Sequence, residues 1–186
     1  MSAPPVAGST RPDSTTDAAL VGAYRTGDER AAAELVQRHA GALGRFLHSL
    51  GADPGDLEDL VQETLFRAFR RVDGWRGGAS FRSWLLTIGS NLLRDQVRKR
   101  KGKLVPIDDR DIAADSDPHA ELAALEAQER VREGLARLPK LQREVFLLRA
   151  QEGSDYEDIA AALGTTPGAA RVHYHHAVKR LKELIG

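Results

Sequence analysis

Apolar residues recur at helical spacing along most of the chain, and this periodicity constrains the fold more than any other feature of the sequence. The segments in which apolar side chains stand three or four positions apart are residues 32–50, 57–69, 81–92 and 170–181. Gly51 and Gly164 follow the ends of two such patterns, as glycine commonly does after a helix. We therefore predict an all-α fold, because no segment of the sequence requires a strand.

Two stretches without periodicity divide the predicted helices into two units. Residues 1–16 combine Pro, Ser, Thr and Gly, so we predict a disordered leader. Residues 102–118 are rich in aspartate, which is typical of a flexible acidic linker. The sequence therefore predicts two small helical domains, at residues 17–101 and 119–186, joined by that linker.

Composition excludes several classes of protein. The chain has no cysteine, so neither disulfides nor thiolate metal sites can form, which suits a reducing cytoplasm. No apolar run approaches the roughly 18 residues of a membrane span, and the N-terminus lacks a signal-peptide pattern. The net charge of +0 gives no overall sign of a nucleic-acid partner, so local clusters must carry that argument. No group of residues suggests catalysis, and we expect neither enzymatic activity nor a cofactor.

The C-terminal segment has the layout of a helix-turn-helix. A short helical pattern ends at Gly164, and a second helix follows, capped by Thr165 or Thr166 and begun by Pro167. The second helix of such a motif enters the DNA major groove, where arginine can bond guanine and valine can contact a thymine methyl. The side chains that we expect to face DNA are Arg171, Val172, His173, His176 and Lys179.

The histidines of this helix leave an alternative open. His173 and His176 stand three positions apart, as two metal ligands on one helix face can. No cysteine or suitably spaced carboxylate accompanies them, so we predict no metal site. A metal-binding interaction protein and a purely structural helix hairpin with a solvated face are therefore the weaker hypotheses.

The N-terminal unit has a basic segment at the end of its last predicted helix. This helix is expected to begin after Ser80 as its cap, and the cationic residues toward its C-terminal end are Arg94, Arg98, Lys99, Arg100 and Lys101. Such a run attracts phosphates, although a solvated helix end is the ordinary interpretation. Trp75, Phe81 and Trp84 precede it and could stack on bases, but Phe81 and Trp84 fit the core stripe better.

An acidic and polar face precedes the basic segment. The predicted helix after Asp53 and Pro54 has a buried stripe of Leu57, Leu60, Val61, Leu65, Phe66 and Phe69. Its other side carries Asp56, Glu58, Asp59, Gln62, Glu63 and Arg67. This side is either an ordinary solvated face or a docking face for a basic partner helix, and the pattern alone does not separate the two.

These segments together resemble the extracytoplasmic-function (ECF) sigma factors of the sigma-70 family. The stretch "DLEDLVQETLFRAFRR" is similar to the family's helix that docks on the coiled coil of the largest catalytic polymerase subunit. The stretch "FRSWLLTIGSNLLRDQVRKRK" is similar to its promoter-melting and minus-10 segment, and residues 138–184 resemble its region that reads the minus-35 element. The resemblance implies a cytoplasmic, non-enzymatic initiation subunit that binds core RNA polymerase and promoter DNA and is controlled by an anti-sigma factor, which can hold it at the membrane.

The resemblance also implies roles for individual residues. It implies that Asp59, Gln62 and Glu63 bind polymerase and that Asp56 and Arg67 support this contact. The residues implied along the minus-10 strand are Asn91, Arg94, Asp95, Arg98, Lys99 and Arg100. The loop from Gly74 to Ser80 would shape a pocket for a flipped base.

The last helix departs from the family pattern at several positions. Family members usually carry arginine near His173 and His176 and an aliphatic residue at Tyr174, so an unusual promoter element or a weaker contact is implied. His175 matches a histidine of many members, and we expect it to pack partly against its neighbours. A lone helix-turn-helix regulator that binds duplex DNA without polymerase is a further alternative, but it leaves residues 56–101 unexplained.

Overall fold

The computed structural model describes residues 12–101 and 128–185, and the regular elements within these ranges are all helical. The helices of the N-terminal unit are α1 Pro12–Arg25, α2 Glu29–Ser49, α3 Leu57–Arg70 and α4 Phe81–Lys101, with short 3-10 helices at Pro54–Asp56 and Val72–Gly74. The helices of the C-terminal unit are α5 (residues 128–136 of the described range), α6 Lys140–Ala150, α7 Tyr156–Leu163 and α8 Pro167–Ile185. The predicted all-α fold with two helical units is confirmed.

The predicted start of the first helix is wrong. Helix α1 begins at Pro12, so residues 12–16 belong to a helix and not to a leader. Proline suits the first turn of a helix because the N–H that it lacks has no partner there. Residues 1–11, the predicted linker at 102–118 and the predicted start of the C-terminal domain at 119–127 lie outside the described residues.

Local capping chemistry sets several helix ends. Asp28 precedes α2 and accepts a hydrogen bond from the backbone N–H of Arg30 at 3.0 Å. Asp53 caps the 3-10 turn before α3 in the same way, through the N–H of Gly55 at 2.8 Å. Gly51 and Gly164 have φ of 93° and 66°, the left-handed conformation that ends a helix at low cost for glycine. The predicted helix ends at these two glycines are confirmed.

The core of the N-terminal unit lies where α2, α3 and α4 meet. Leu43 and Leu47 of α2, Leu60 of α3 and Phe81 of α4 are all buried there. The helices approach closely at Gly89, where an added Cβ would lie 2.9 Å from Leu43 Cδ1. The glycine therefore permits a packing distance that a larger residue would disturb.

Hydrogen bonds from α1 hold the loop between α3 and α4. The Arg25 guanidinium donates to the carbonyl oxygens of Val72 at 2.5 Å and Trp75 at 2.7 Å. Trp75 is only 7% exposed, and its indole N–H donates to the Ala79 carbonyl at 2.9 Å. Phe81 is fully buried beside it, with their ring centroids 5.8 Å apart. Phe81 therefore belongs to the core, as the sequence favoured, and the Trp75 ring, which the sequence left undecided, is buried and not open to base stacking in this structure.

The two units are in direct contact. Helix α4 of the N-terminal unit packs against α7 of the C-terminal unit, and buried apolar residues of both units join one continuous cluster. Within the described residues, no helix combines the length and apolar character that a membrane span requires.

Candidate nucleic-acid interfaces and docking face

The polar side of α3 is presented to solvent. Asp59 and Gln62 are exposed and Glu63 is half-buried, and their spacing of three or four residues places them on one side of the helix. Arg67 pairs with Glu63, with Nε and Oε1 2.6 Å apart. This side therefore carries solvent-accessible acidic groups on one helix, which is consistent with both alternatives from the sequence, a solvated face and a docking face.

Phe66 lies on this same exposed side. The sequence predicted it within the buried stripe, and that prediction is wrong, since the side chain is 56% exposed. Thr64, which was not predicted in the buried stripe, is buried, and its hydroxyl donates a hydrogen bond to the Leu60 carbonyl at 2.7 Å. The Arg70 guanidinium lies 5.5 Å from the centroid of the Phe66 ring. Leu65 and Phe66 point about 100° apart on a helix, so only one of them can lie at the centre of the buried side.

The predicted docking face and the predicted minus-10 segment meet in space. Asp56, just before α3, forms an ion pair with Arg100, near the end of α4. Both side chains remain substantially exposed, at 39% and 61%. The contact places a basic helix end directly beside the acidic start of α3.

The end of α4 is a cationic surface. Arg94, Arg98, Lys99 and Arg100 are exposed, and Asp95 lies 3.6 Å from Arg98 as a weak ion pair. Cations at the C-terminal end of a helix also interact favourably with the helix dipole. The arrangement can attract phosphates of a nucleic-acid backbone.

Asn91 occupies a different environment from the other predicted minus-10 residues. It is half-buried and lines a crevice together with Thr87 of α4 and with Lys140, Glu144 and Gly164 of the C-terminal unit. The sequence gives no signal for this crevice, because it forms between residues far apart along the chain.

Helices α7 and α8 form the predicted helix-turn-helix. Asp155 caps α7 by accepting from the N–H of Asp158 at 2.8 Å. Thr166, one of the two predicted caps, accepts from the N–H of Ala169 at 3.2 Å at the start of α8. Ala170 and Ala177 face the core and are fully buried, so the opposite side of α8 faces away from the core.

The exposed side of α8 differs in part from the prediction. Arg171, Val172, His175, His176 and Lys179 are exposed, with Val172 at 51%. His175 was expected to be partly packed, and this prediction is wrong. His173 is the half-buried one, and its Nδ1 is buried without a hydrogen-bond partner in the described part of the chain. Helix geometry explains why His175 is exposed and His173 is half-buried, because positions 171, 172, 175, 176 and 179 share one side of the helix and position 173 does not.

Aromatic side chains support the start of α8. The Arg171 guanidinium lies 5.1 Å from the centroid of the Tyr156 ring, and the Arg149 guanidinium lies 5.2 Å from it. Tyr174 stacks on Phe146 with centroids 5.9 Å apart. Tyr174, which stands where family members usually carry an aliphatic residue, therefore packs between α6 and α8.

The histidines of α8 do not form part of a larger ligand cluster in the described ranges. No group of three or more His, Asp or Glu side chains there is arranged to hold a metal ion.

Family models match both units. Residues 35–103 match sigma-70 region 2, and residues 128–181 match sigma-70 region 4. The RNA polymerase sigma factor NccH of Alcaligenes xylosoxydans xylosoxydans is 32% identical, over 93% of this chain and 96% of the relative. The ECF RNA polymerase sigma factor EcfG of Rhodopseudomonas palustris is 34% identical, over 77% of this chain and 79% of the relative.

Solved structures resemble the whole arrangement. CnrH in complex with the cytosolic domain of CnrY superposes with a TM-score of 0.68 at 30% identity, covering 92% of this chain and 96% of CnrH. The sigma factor RpoE in complex with the anti-sigma factor NepR, from Bartonella quintana, superposes with a TM-score of 0.63 at 30% identity. That likeness covers 81% of this chain and 94% of RpoE.

Proposed function

This chain belongs to the ECF RNA polymerase sigma factors of the sigma-70 family, and we propose that it directs core RNA polymerase to promoters through surfaces on α3, α4 and α8. Sigma factors are initiation subunits that act by binding, without a catalytic step of their own. The activity therefore depends on which partner each surface contacts.

The exposed side of α3 is the proposed polymerase-docking face. Asp59, Gln62 and Glu63 offer acidic and amide groups to a basic partner helix, and Asp56 and Arg67 flank them. Phe66 adds an exposed ring among these polar groups. Interfaces commonly combine an aromatic anchor with a polar rim, so we include Phe66 in the face.

The cationic end of α4 is the proposed minus-10 surface. Its exposed Arg94, Arg98, Lys99 and Arg100 are suited to a phosphate backbone, and Asn91 can bond to a base edge. Strand capture at this surface would stabilise melted DNA, because bound single strands do not reanneal.

The exposed side of α8 is the proposed minus-35 surface. Arg171 and Val172 lie near its N-terminus, where the recognition helix of a helix-turn-helix contacts bases. His175, His176 and Lys179 continue the same side, and we propose that Lys179 contacts phosphate. His173 would contact DNA from the edge of this surface.

A single observation carries this proposal. The Asp56–Arg100 ion pair sets the acidic docking face of α3 and the cationic end of α4 side by side on one unit. A subunit that brings an enzyme to melted DNA needs a protein-binding and a DNA-binding surface at adjacent places. The charges of the two surfaces are opposite, which suits a basic partner helix on one and phosphates on the other.

We further propose that a partner protein of the anti-sigma class regulates this chain. The solved structure of RpoE contains the anti-sigma factor NepR, and that of CnrH contains the cytosolic domain of CnrY. Such a partner would act by covering the α3 or α4 surface.

The docking face can be tested with a double substitution. Asp59→Ala with Glu63→Ala should weaken binding to core RNA polymerase roughly tenfold or more, because two charged contacts of the interface are lost. The measurement is the dissociation constant of labelled protein and core enzyme at fixed salt, with circular dichroism to check helix content. Glu133→Ala with Glu157→Ala removes the same charge from exposed positions of the C-terminal unit and should bind like the native protein. Full binding by the α3 variant would contradict the assignment.

A further inference from the structure

Asp56 stands at the N-terminal end of α3 without capping that helix. A side chain at such a position usually accepts a hydrogen bond from a backbone N–H of the first turn, as Asp53 does for the preceding 3-10 turn through the Gly55 N–H. The Asp56 side chain makes no capping hydrogen bond. Its carboxylate instead binds the guanidinium of Arg100, which lies 44 positions later in the sequence, on α4. The charge of this carboxylate therefore serves a contact between two helices.

The Asp56–Arg100 pair differs from the other ion pairs of the two proposed surfaces. Asp95 pairs with Arg98 within α4 at 3.6 Å, and the ion pair at the centre of the docking face lies within α3. In the part of the chain that the structure describes, the Asp56–Arg100 pair is the ion pair that joins the docking face to the cationic end of α4. A change at one surface can therefore reach the other through this pair.

Both members of the pair are open to water. The Asp56 side chain is 39% exposed and the Arg100 side chain is 61% exposed. An ion pair with this exposure stabilises a protein little, because water and salt screen its charges. The pair can therefore be exchanged for contacts with charged partners at low cost.

Each proposed partner of the two surfaces competes for one member of the pair. A basic helix on α3 attracts the Asp56 carboxylate, and a DNA phosphate at the end of α4 attracts the Arg100 guanidinium. While the pair is intact, the carboxylate occupies part of the guanidinium and repels a phosphate. Withdrawal of the carboxylate by a basic partner therefore leaves Arg100 with a stronger attraction for DNA.

We propose that the Asp56–Arg100 pair is a charge switch that couples polymerase docking to DNA binding within the N-terminal unit. The switch rests on the proposed function of both surfaces. In the free chain Asp56 lowers the affinity of Arg100 for phosphate, and polymerase contact with Asp56 removes that effect. Because coupling between two binding sites is reciprocal, DNA bound at Arg100 strengthens polymerase docking by the same factor.

Removal of Arg100 should strengthen polymerase binding, although Arg100 lies outside the docking face. Arg100→Ala leaves Asp56 available to the basic partner helix and should lower the dissociation constant for core enzyme about two- to fivefold, the range expected for an exposed ion pair. Titration of the labelled full-length chain with core polymerase, at low ionic strength and without DNA, measures this change. Arg30→Ala removes the same charge from an exposed position of α2 and should bind core enzyme like the native protein.

The gain in polymerase binding must depend on Asp56. In an Asp56→Asn background, Arg100→Ala should no longer strengthen binding, because no carboxylate is released. The switch is rejected if Arg100→Ala binds core enzyme no more tightly than the native protein, or if the gain persists with Asp56→Asn. A native chain without affinity for core enzyme would reject the proposed docking function, and the switch with it.

The opposite direction of the coupling is measured on DNA without polymerase. A fluorophore on Val97→Cys, an exposed residue one turn before Arg100, reports binding at this end of α4, since the chain has no cysteine of its own. A single-stranded oligonucleotide of random sequence serves as the probe, because phosphate contacts do not depend on base identity. Asp56→Asn should tighten its binding about two- to fivefold. Glu29→Gln, which removes a charge from an exposed position of α2, should not.

The gain in DNA binding must likewise depend on Arg100. In an Arg100→Ala background, Asp56→Asn should leave the affinity for the oligonucleotide unchanged. An equal gain in both backgrounds would show that Asp56 acts through the overall field of the unit, and this result would overturn the switch, as would no gain in the native background. Absence of oligonucleotide binding in every variant would reject the proposed minus-10 surface itself. Circular dichroism of each variant checks that the helices are intact.

Discussion

At the scale of single residues, Arg171 is the side chain on which promoter preference most depends. It is exposed at the start of α8, and its guanidinium can bond guanine through two N–H groups. Arg171→Ala should cost about 1–3 kcal/mol of minus-35 binding and relax base preference at one position. Selection from a randomised minus-35 element with reconstituted holoenzyme measures both effects.

Lys179 provides the matched comparison for Arg171. A phosphate contact carries no sequence information, so Lys179→Ala should weaken binding to all sequences alike and lower the salt dependence. If Arg171→Ala also left base preference unchanged, its assigned role would be rejected.

Tyr156 should act through Arg171. Its ring lies 5.1 Å from the Arg171 guanidinium, within the range of a cation–π contact that orients the side chain. Tyr156→Leu should therefore relax the same base preference, whereas Tyr156→Phe, which keeps the ring, should retain it. Combining Tyr156→Leu with Arg171→Ala in a double-mutant cycle should add nothing further to the loss of preference. Additive losses would mean that Tyr156 acts independently.

Residue identities in the site were predictable only in part from the sequence. The acidic side of α3 followed from helical spacing, since Asp59, Gln62 and Glu63 are all accessible as expected. Phe66 was placed on the wrong side, because adjacent apolar residues at the edge of a stripe leave its exact centre undecided. The pairing of Asp56 with Arg100 joins distant positions and leaves no local signal.

At the scale of helices, the close approach of α4 to its neighbours depends on Gly89. An added Cβ would meet Leu43, Leu47 and Thr64 side chains at 2.9 to 3.3 Å. Gly89→Val should therefore destabilise the protein by about 1–3 kcal/mol through overpacking. Gly22→Val in α1, where an added Cβ meets nothing within 4 Å, should change stability by no more than about 0.5 kcal/mol. Denaturant unfolding followed by circular dichroism compares the two, and equal stability would contradict the packing argument.

Helix ends were predictable where the capping group is local. Gly164 directly follows α7, Gly51 lies two residues after the end of α2, and Thr166 directly precedes α8, so sequence proximity reveals these ends. The N-terminus of α4 shows the limit of such reasoning. Ser80 was predicted as its cap and accepts from the N–H of Ser83 at 3.1 Å, but Asp158 of the other unit also binds there. A capping group from a remote helix has no signature beside the helix that it caps.

At the scale of the whole molecule, the sequence predicted two units but not their contact. Serine and threonine along α4 suggest a solvated side, because such residues are usually exposed. The carboxylates that cover them, Glu144 and Asp158, likewise suggest solvent when considered alone. Their burial becomes favourable only when donor and acceptor meet, which is a property of the three-dimensional arrangement.

Promoter specificity of core RNA polymerase is the activity that we propose for this chain. Run-off transcription from a bacterial genomic-fragment library, with core enzyme in the presence and absence of the purified chain, tests it most directly. We expect discrete new start sites that share two spaced upstream elements, because separate helices read separate stretches of DNA. Binding of the chain to duplex DNA without any new transcript would reject the sigma-factor function and favour a lone helix-turn-helix regulator.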